Sequence, residues 1–299
     1  ESSGRETIAL SPLETLGLIY SPVGLSRVSN FENRRGRLHV GAKVSSQAEL
    51  SEDGFGVALD MALNSERADC APPLVPEAPA AGSADAVSAA DLTSAGADVG
   101  LTIAAPLLNR LAQTSTLAGF GCRGLEDISL DGSGSNLAID DLNLDDVGLG
   151  ELPVGAWAEP VLSPGSLPAL EMNPAGSTVE LSWDELTLEL YADIQGVPVR
   201  ILQLHAGVAV SLRPVERLGR VELAVDSVEV TEPSVESQWS YNRPDDTDLA
   251  SWARRVLLMV LDDAFTLPLP VEPGAPLQLL DSLVRQNDLM LLFDIDRPF

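Results

Sequence analysis

The chain has 299 residues, 45 acidic and 18 basic, for a formal charge of −27 at neutral pH. A hydrophobic content of 45% excludes an acidic disordered chain, and the absence of a basic stripe argues against a nucleic-acid partner. The longest unbroken aliphatic run, Val256 to Leu261, is too short to cross a bilayer as a helix.

Residues 1–31 carry turn signals at Ser11-Pro12 and Ser21-Pro22. Arg37 to Val44 alternates at period two and Gly56 to Leu63 is a second apolar stretch, so both are expected as strands paired across a turn region at Ser51–Gly54. Residues 71–98 are rich in Ala, Pro, Ser and Asp without hydrophobic period, and read as a connector. A helix follows, with Thr102 as its expected cap, Pro106 in its first turn, a stripe of Ile103, Leu107, Leu108 and Leu111, and Gly119 as its stop.

Between about 160 and 246 the pattern is that of long strands. Val179, Leu181 and Trp183 alternate in one phase, and Leu186, Leu188, Leu190, Ala192 and Ile194 continue in the other. Val221, Leu223 and Val225 give way in the same manner to Val228 and Val230. A phase change inside a strand predicts a bulge or strong bend, hence a highly curved antiparallel sheet with an apolar concave face. A second helix is expected from Leu249 to Phe265, capped by Asp248. Leu249, Trp252, Val256 and Val260 form one face of it, and Ala253, Leu257, Leu261 and Ala264 a neighbouring one. Its middle is apolar nearly all round, which predicts deep burial. A strand from Leu289 to Ile295 ends the series.

Catalytic patterns are missing from the sequence: no GxSxG, P-loop or GxGxxG motif occurs. No CxxC motif or Cys/His cluster occurs and the only histidines are His39 and His205, so a zinc site, which needs three or four such ligands together, is not expected. His205, within a strand, reads as a surface or satisfied histidine. Asp140-Asp141, Asp145-Asp146 and Asp262-Asp263 read as solvated acidic faces, and the Asp131–Asp146 stretch lacks the spacing of an EF-hand loop. No metal and no cofactor are expected. Cys70 and Cys122 form either a disulfide or two inert buried thiols; the disulfide is the favoured reading and implies an oxidising compartment. Lys43 is the single lysine among the cations. High-salt adaptation and codon bias in a GC-rich bacterial genome both account for that.

The order connector, short helix, long curved strands, buried helix and final strand resembles the C-terminal barrel of bactericidal/permeability-increasing and lipopolysaccharide-binding proteins, in the tubular lipid-binding (TULIP) superfamily. Val99 to Ile103 followed by Leu107-Leu108-Asn109 resembles the barrel-opening helix. Gly219 to Leu223 resembles the strand before the long helix, and Leu267-Pro268-Leu269-Pro270, Leu277 to Asp281 and Asn287 to Leu291 resemble the closing segment. Gly36 to Val44 with Ala71-Pro72-Pro73 is similar to the central-sheet strand and Pro-rich passage between that family's two barrels. The strongly basic tip of the family has no counterpart.

The resemblance implies an α+β fold in which a highly curved antiparallel β-sheet is wrapped around a long buried helix. Residues 99–299 then form a lipid-binding-type barrel, 71–98 the connector, and 1–70 the strands of a central sheet or the remnant of a missing first barrel. The function expected is non-enzymatic lipid binding or transfer, with acyl chains in a groove lined by Leu107, Leu108, Leu111, Trp252, Val256, Met259 and Val260. The partners expected are a lipid or other amphiphile, transient membrane contact, and a second barrel or homodimer, at an extracytoplasmic (periplasmic or secreted) location. The alternative is a cargo-free structural or interaction protein that meets a partner through its acidic surface.

Overall fold

A computed structural model of the chain describes residues 19–21, 24–32, 37–44, 49–51, 54–56, 59–73, 87–119, 122, 137–138, 157–175, 177–194, 197–217, 220–236, 246–264, 266–268, 277–285 and 287–295. The acidic Asp131–Asp146 stretch lies outside these residues, apart from its 137–138 segment, as does the expected Ser11-Pro12 turn. Among the described residues the structure is built from antiparallel sheets with three helices, in the manner of an α+β fold.

The N-terminal strands β1 (Ile19–Ser21), β2 (Gly24–Glu32), β3 (Arg37–Val44) and β6 (Leu59–Ser65) pair in the order β1-β2-β3-β6. The expected pairing of the two apolar stretches is present, with Val40 opposite Leu63 and Ala42 opposite Met61. Between them, β4 (Glu49–Ser51) and β5 (Gly54–Gly56) form a separate hairpin.

Three long strands dominate the second sheet: β11 (Thr178–Ile194), β12 (Val197–Arg217) and β13 (Arg220–Glu236), of 17, 21 and 17 residues. With β8 (Leu137–Ala138), β9 (Trp157–Pro164) and β14 (Thr266–Pro268) they follow the order β14-β13-β12-β11-β9-β8. Strand β10 (Ala169–Asn173) continues along the β11 edge that β9 leaves. Among the described residues no sheet closes into a barrel; this one is open, with β14 and β8 at its edges.

The phase changes in the sequence coincide with register shifts. On β11, Trp183 faces Val208 and Leu186 faces Ala206, so Asp184 and Glu185 share one opposing position, that of Gly207. On β13, Asp226 is the extra residue, since Ser227 faces Ser211 and Val225 faces Leu212. Three interruptions fall in line across the sheet: residues 165–168 between β9 and β10, Asp184-Glu185 on β11, and Glu232-Pro233 on β13 beside Ala206-Gly207 of β12. Bulges bend strands and increase their twist, so a line of them folds the sheet across its middle. Gly207 sits on this line, where an added Cβ would collide with Thr231 Oγ1. Leu181, Trp183, Leu186, Leu188 and Leu190 of β11 are buried, as are the even-numbered residues from Leu202 to Leu212 of β12.

The third sheet orders β15 (Leu277–Arg285), β16 (Asp288–Ile295) and β7 (Val99–Ala104). Strand β7 leads into the second helix, and its pairing corrects one expectation. Thr102 does not cap that helix; it lies within β7 opposite Met290, because β16 holds the backbone extended as far as Ala104.

Residues 71–98, read as a connector, are described at 71–73 and 87–98. They contain a helix, α1 (Ala89–Ala95), created by capping chemistry rather than hydrophobic period. The Ser88 hydroxyl accepts the Asp91 N–H, the Asp91 carboxylate accepts the Ser88 N–H, and Gly96 closes the other end in a left-handed conformation.

The second helix, α2 (Ala105–Leu117), has Pro106 in its first turn and Gly119 at φ 84° just beyond its end. The third, α3 (Asp246–Ala264), corrects the expectation of burial all round. Leu249, Trp252, Ala253, Val256, Leu257, Val260 and Leu261 are buried, whereas Ser251, Arg254, Arg255, Leu258 and Met259 are exposed. The spacing of the buried set is that of a single helical face, and α3 lays this face against β13. A helix wrapped by the sheet is therefore not what the described residues present.

Candidate functional site

Six of the seven expected lining residues come together. Leu108, Leu111, Trp252, Val256 and Val260 belong to one contiguous apolar cluster with the inward residues of β11, β12 and β13, and half-buried Leu107 packs against it. Met259 does not join them: it is 36% exposed, on the outer face of α3 beside Leu258. Its place follows from the helical period, because Met259 falls between the buried positions Val256 and Val260 only in sequence.

Two side chains fix α2 over the bend in the large sheet. Asn109 Oδ1 accepts the Leu170 N–H at 3.1 Å, and Gln113 Nε2 donates to the Pro168 carbonyl at 3.3 Å. Both partners lie where β9 passes into β10, so the helix is tied to the line of interruptions. The C-terminal end of α2 is held from the other side. The Ala68 N–H donates to Leu117 O at 2.8 Å, and Cys70 is joined to Cys122 by a disulfide whose Cα atoms stand 6.1 Å apart. The bridge therefore links the segment after β6 to the segment after α2.

The buried face of α2 is not wholly apolar. Thr114, Ser115 and Thr116 are all buried. Thr114 Oγ1 donates to the Arg110 carbonyl at 2.7 Å and Thr116 Oγ1 to the Ala112 carbonyl at 3.0 Å. Among the described residues neither the Ser115 hydroxyl nor the Thr102 hydroxyl has a hydrogen-bond partner.

Polar groups gather on the other face of the sheet. Thr187 Oγ1 and His205 Nδ1 are 2.9 Å apart, which makes His205 the satisfied strand histidine expected. Arg200 Nη1 donates to Glu189 Oε1 at 2.6 Å, and the Tyr191 hydroxyl donates to Glu189 Oε2 at 3.2 Å. Burial, reinforced by the Glu189 carboxylate, pushes the Tyr191 phenol up. Among the described residues no group of three or more His, Cys, Asp or Glu side chains could hold a metal ion, and no helix is long and apolar enough to cross a membrane.

A further ion pair was not legible in the sequence. Arg285 on β15 donates from Nη1 and Nη2 to the two oxygens of Asp91, at 3.0 and 2.7 Å, and so pins α1 to the third sheet. The Ser88-x-x-Asp91 pattern with Gly96 is the local signal that marks α1; the partner, 194 positions away, has none.

No family model matches the chain, and no curated protein matches it in sequence. Among solved structures it is similar to a lipopolysaccharide binding protein, at 11% identity and a TM-score of 0.30, over 89% of this chain and 56% of that one. The chain thus spans little more than half the length of that protein.

Proposed function

We propose that the chain is a non-enzymatic lipid-binding or lipid-transfer module that holds acyl chains against the inner face of the large sheet. The observation that carries this reading is the length of the apolar face. Strands of 17–21 residues extend about 55–70 Å at 3.3 Å per residue, far beyond the five or six residues common in globular sheets. The 19 residues of α3 span about 28 Å, roughly half of the shorter strands' length. An elongated apolar interior suits an acyl chain, whose burial is worth about 0.8 kcal/mol per methylene.

In this reading the bent sheet forms the long wall of a tubular lipid-binding shell, with α2 and the buried face of α3 as its other walls. The Cys70–Cys122 disulfide supports an oxidising, extracytoplasmic setting. A cargo-free structural role is the competing reading, favoured by the near-complete burial of the lining residues within one cluster.

The deciding experiment is organic extraction of protein purified without detergent, followed by mass spectrometry and by titration of delipidated protein with a fluorescent acyl probe. Acyl lipid near one equivalent, or saturable uptake of the probe, is expected. Protein that carries no lipid and takes up no probe sinks the lipid reading in favour of the cargo-free one.

A further inference from the structure

Three successive hydroxyl residues, Thr114-Ser115-Thr116, are unusual company for a buried helix face, because hydroxyls in helices compete for backbone groups. Thr114 and Thr116 resolve that competition by donating to carbonyls four residues back. Ser115 does not, although it is wholly shielded from solvent. At about 100° per residue, Ser115 projects within about 20° of Leu108 and 40° of Leu111, at the centre of the α2 face that enters the apolar cluster. The helix cannot roll to bring this hydroxyl to water, since Asn109 and Gln113 bind the β9–β10 passage and the Leu117 carbonyl accepts the Ala68 N–H.

A buried hydroxyl without a partner is costly, and apolar ligand sites characteristically carry a few polar groups that orient the ligand. Resting on the lipid-binding reading, we propose that Ser115 is the polar anchor of the interior: its hydroxyl donates to the carbonyl of a neutral esterified acyl chain lying along Leu108 and Leu111. The carbonyl would sit about 10 Å along the helix axis from Leu108, seven residues at 1.5 Å each. The neutrality of the ligand follows from charge. Arg110 is the sole cation of α2 and projects about 140° away from Ser115, so a carboxylate at this position would be buried without a counter-charge on the helix.

The test uses the full chain, delipidated with its disulfide intact, and three fluorescent probes with one conjugated tetraene tail: the fatty-acid methyl ester, the free acid, and the hydrocarbon without a carbonyl. Wild-type protein is expected to bind the ester more tightly than the acid at pH 8. Ser115→Ala is expected to weaken ester binding about five- to ten-fold, the worth of one hydrogen bond. Its affinity for the hydrocarbon should stay unchanged and its melting temperature equal to or above that of wild type. The hydrocarbon reports that the interior of the variant is intact. Equal ester affinity in wild type and Ser115→Ala overturns the anchor and leaves the lipid reading standing, as does an equal loss for ester and hydrocarbon. Failure of wild type to bind any of the three probes overturns both.

Discussion

Leu257 and Leu258 are adjacent and chemically identical, yet about 100° apart around α3, at 1% and 38% exposure. Truncating each to alanine therefore reads out which face of the helix carries the fold. Leu257 packs between Ala253 and Leu261, both buried, so Leu257→Ala loses the transfer energy of a whole side chain and leaves a cavity. Such changes cost about 2–5 kcal/mol. Leu258→Ala removes atoms that water already reaches, and should cost less than about 1 kcal/mol. In a chain of 299 residues 1 kcal/mol corresponds to about 1.5–2 °C. A mid-range loss of about 3 kcal/mol thus lowers the melting temperature of Leu257→Ala by about 4–6 °C, and Leu258→Ala by less than about 2 °C. Far-UV circular dichroism with the disulfide intact, by heat and by urea, measures both. Equal and large losses would refute the one-sided packing of α3 and restore a helix enclosed by the sheet. Met259→Trp belongs to the same test: an exposed site accepts the added volume, whereas a packed one is strained by about 1–3 kcal/mol.

Replacing both cysteines by serine opens a loop of 52 residues and should destabilise the chain by about 4 kcal/mol in the chain-entropy model, measured by urea unfolding; an unchanged midpoint would contradict it. Gly100 meets Val87 so closely that an added Cβ would lie 2.6 Å from its Cγ1. Gly100→Ala should cost about 1–3 kcal/mol and Val87→Ala should restore most of it, whereas additive losses in the double variant would show that the two do not touch. The Ser88 hydroxyl that donates to Asp91, then the Ser88 N–H and Arg285, hold the Asp91 carboxyl below its ordinary value of 3.8, against burial that pushes it up. A depressed folded value means that the stabilisation is complete above the unfolded value and is lost as pH falls through the folded one. The melting-temperature gap between wild type and Asp91→Asn should therefore be constant above about pH 5 and narrow below it; a gap undiminished at about pH 2.5 would disprove the linkage.

The long strands and their bulges were legible because both are local. Side chains alternate at period two, so the switch of phase from Trp183 to Leu186, or from Val225 to Val228, can only be met by an extra residue. The pairing of residues 37–44 with the following apolar stretch, and the stop of α2 at Gly119, were equally local. Strand β15 was harder, since Leu277 to Leu283 shows no clean alternation.

Helix α3 marks where sequence reading runs out. Its composition predicts burial all round, but hydrophobicity states only what a side chain would gain from cover, not whether another element is there to cover it; Leu258 and Met259 are left outside. Two other features depend on partners distant in the chain. Thr102 could cap a helix, yet the backbone of β16 claims its segment as a strand, and Asp91 finds Arg285 only because the third sheet brings β15 to α1. The cysteines were open to two readings until the fold set their Cα atoms 6.1 Å apart. Ser115 reads in sequence as one hydroxyl among three; its isolation arises because the tertiary structure buries the side of α2 that it shares with Leu108 and Leu111, while the neighbouring threonines are served by the helix's own carbonyls. Local period determines which residues share a face, and only the assembled chain determines what that face meets.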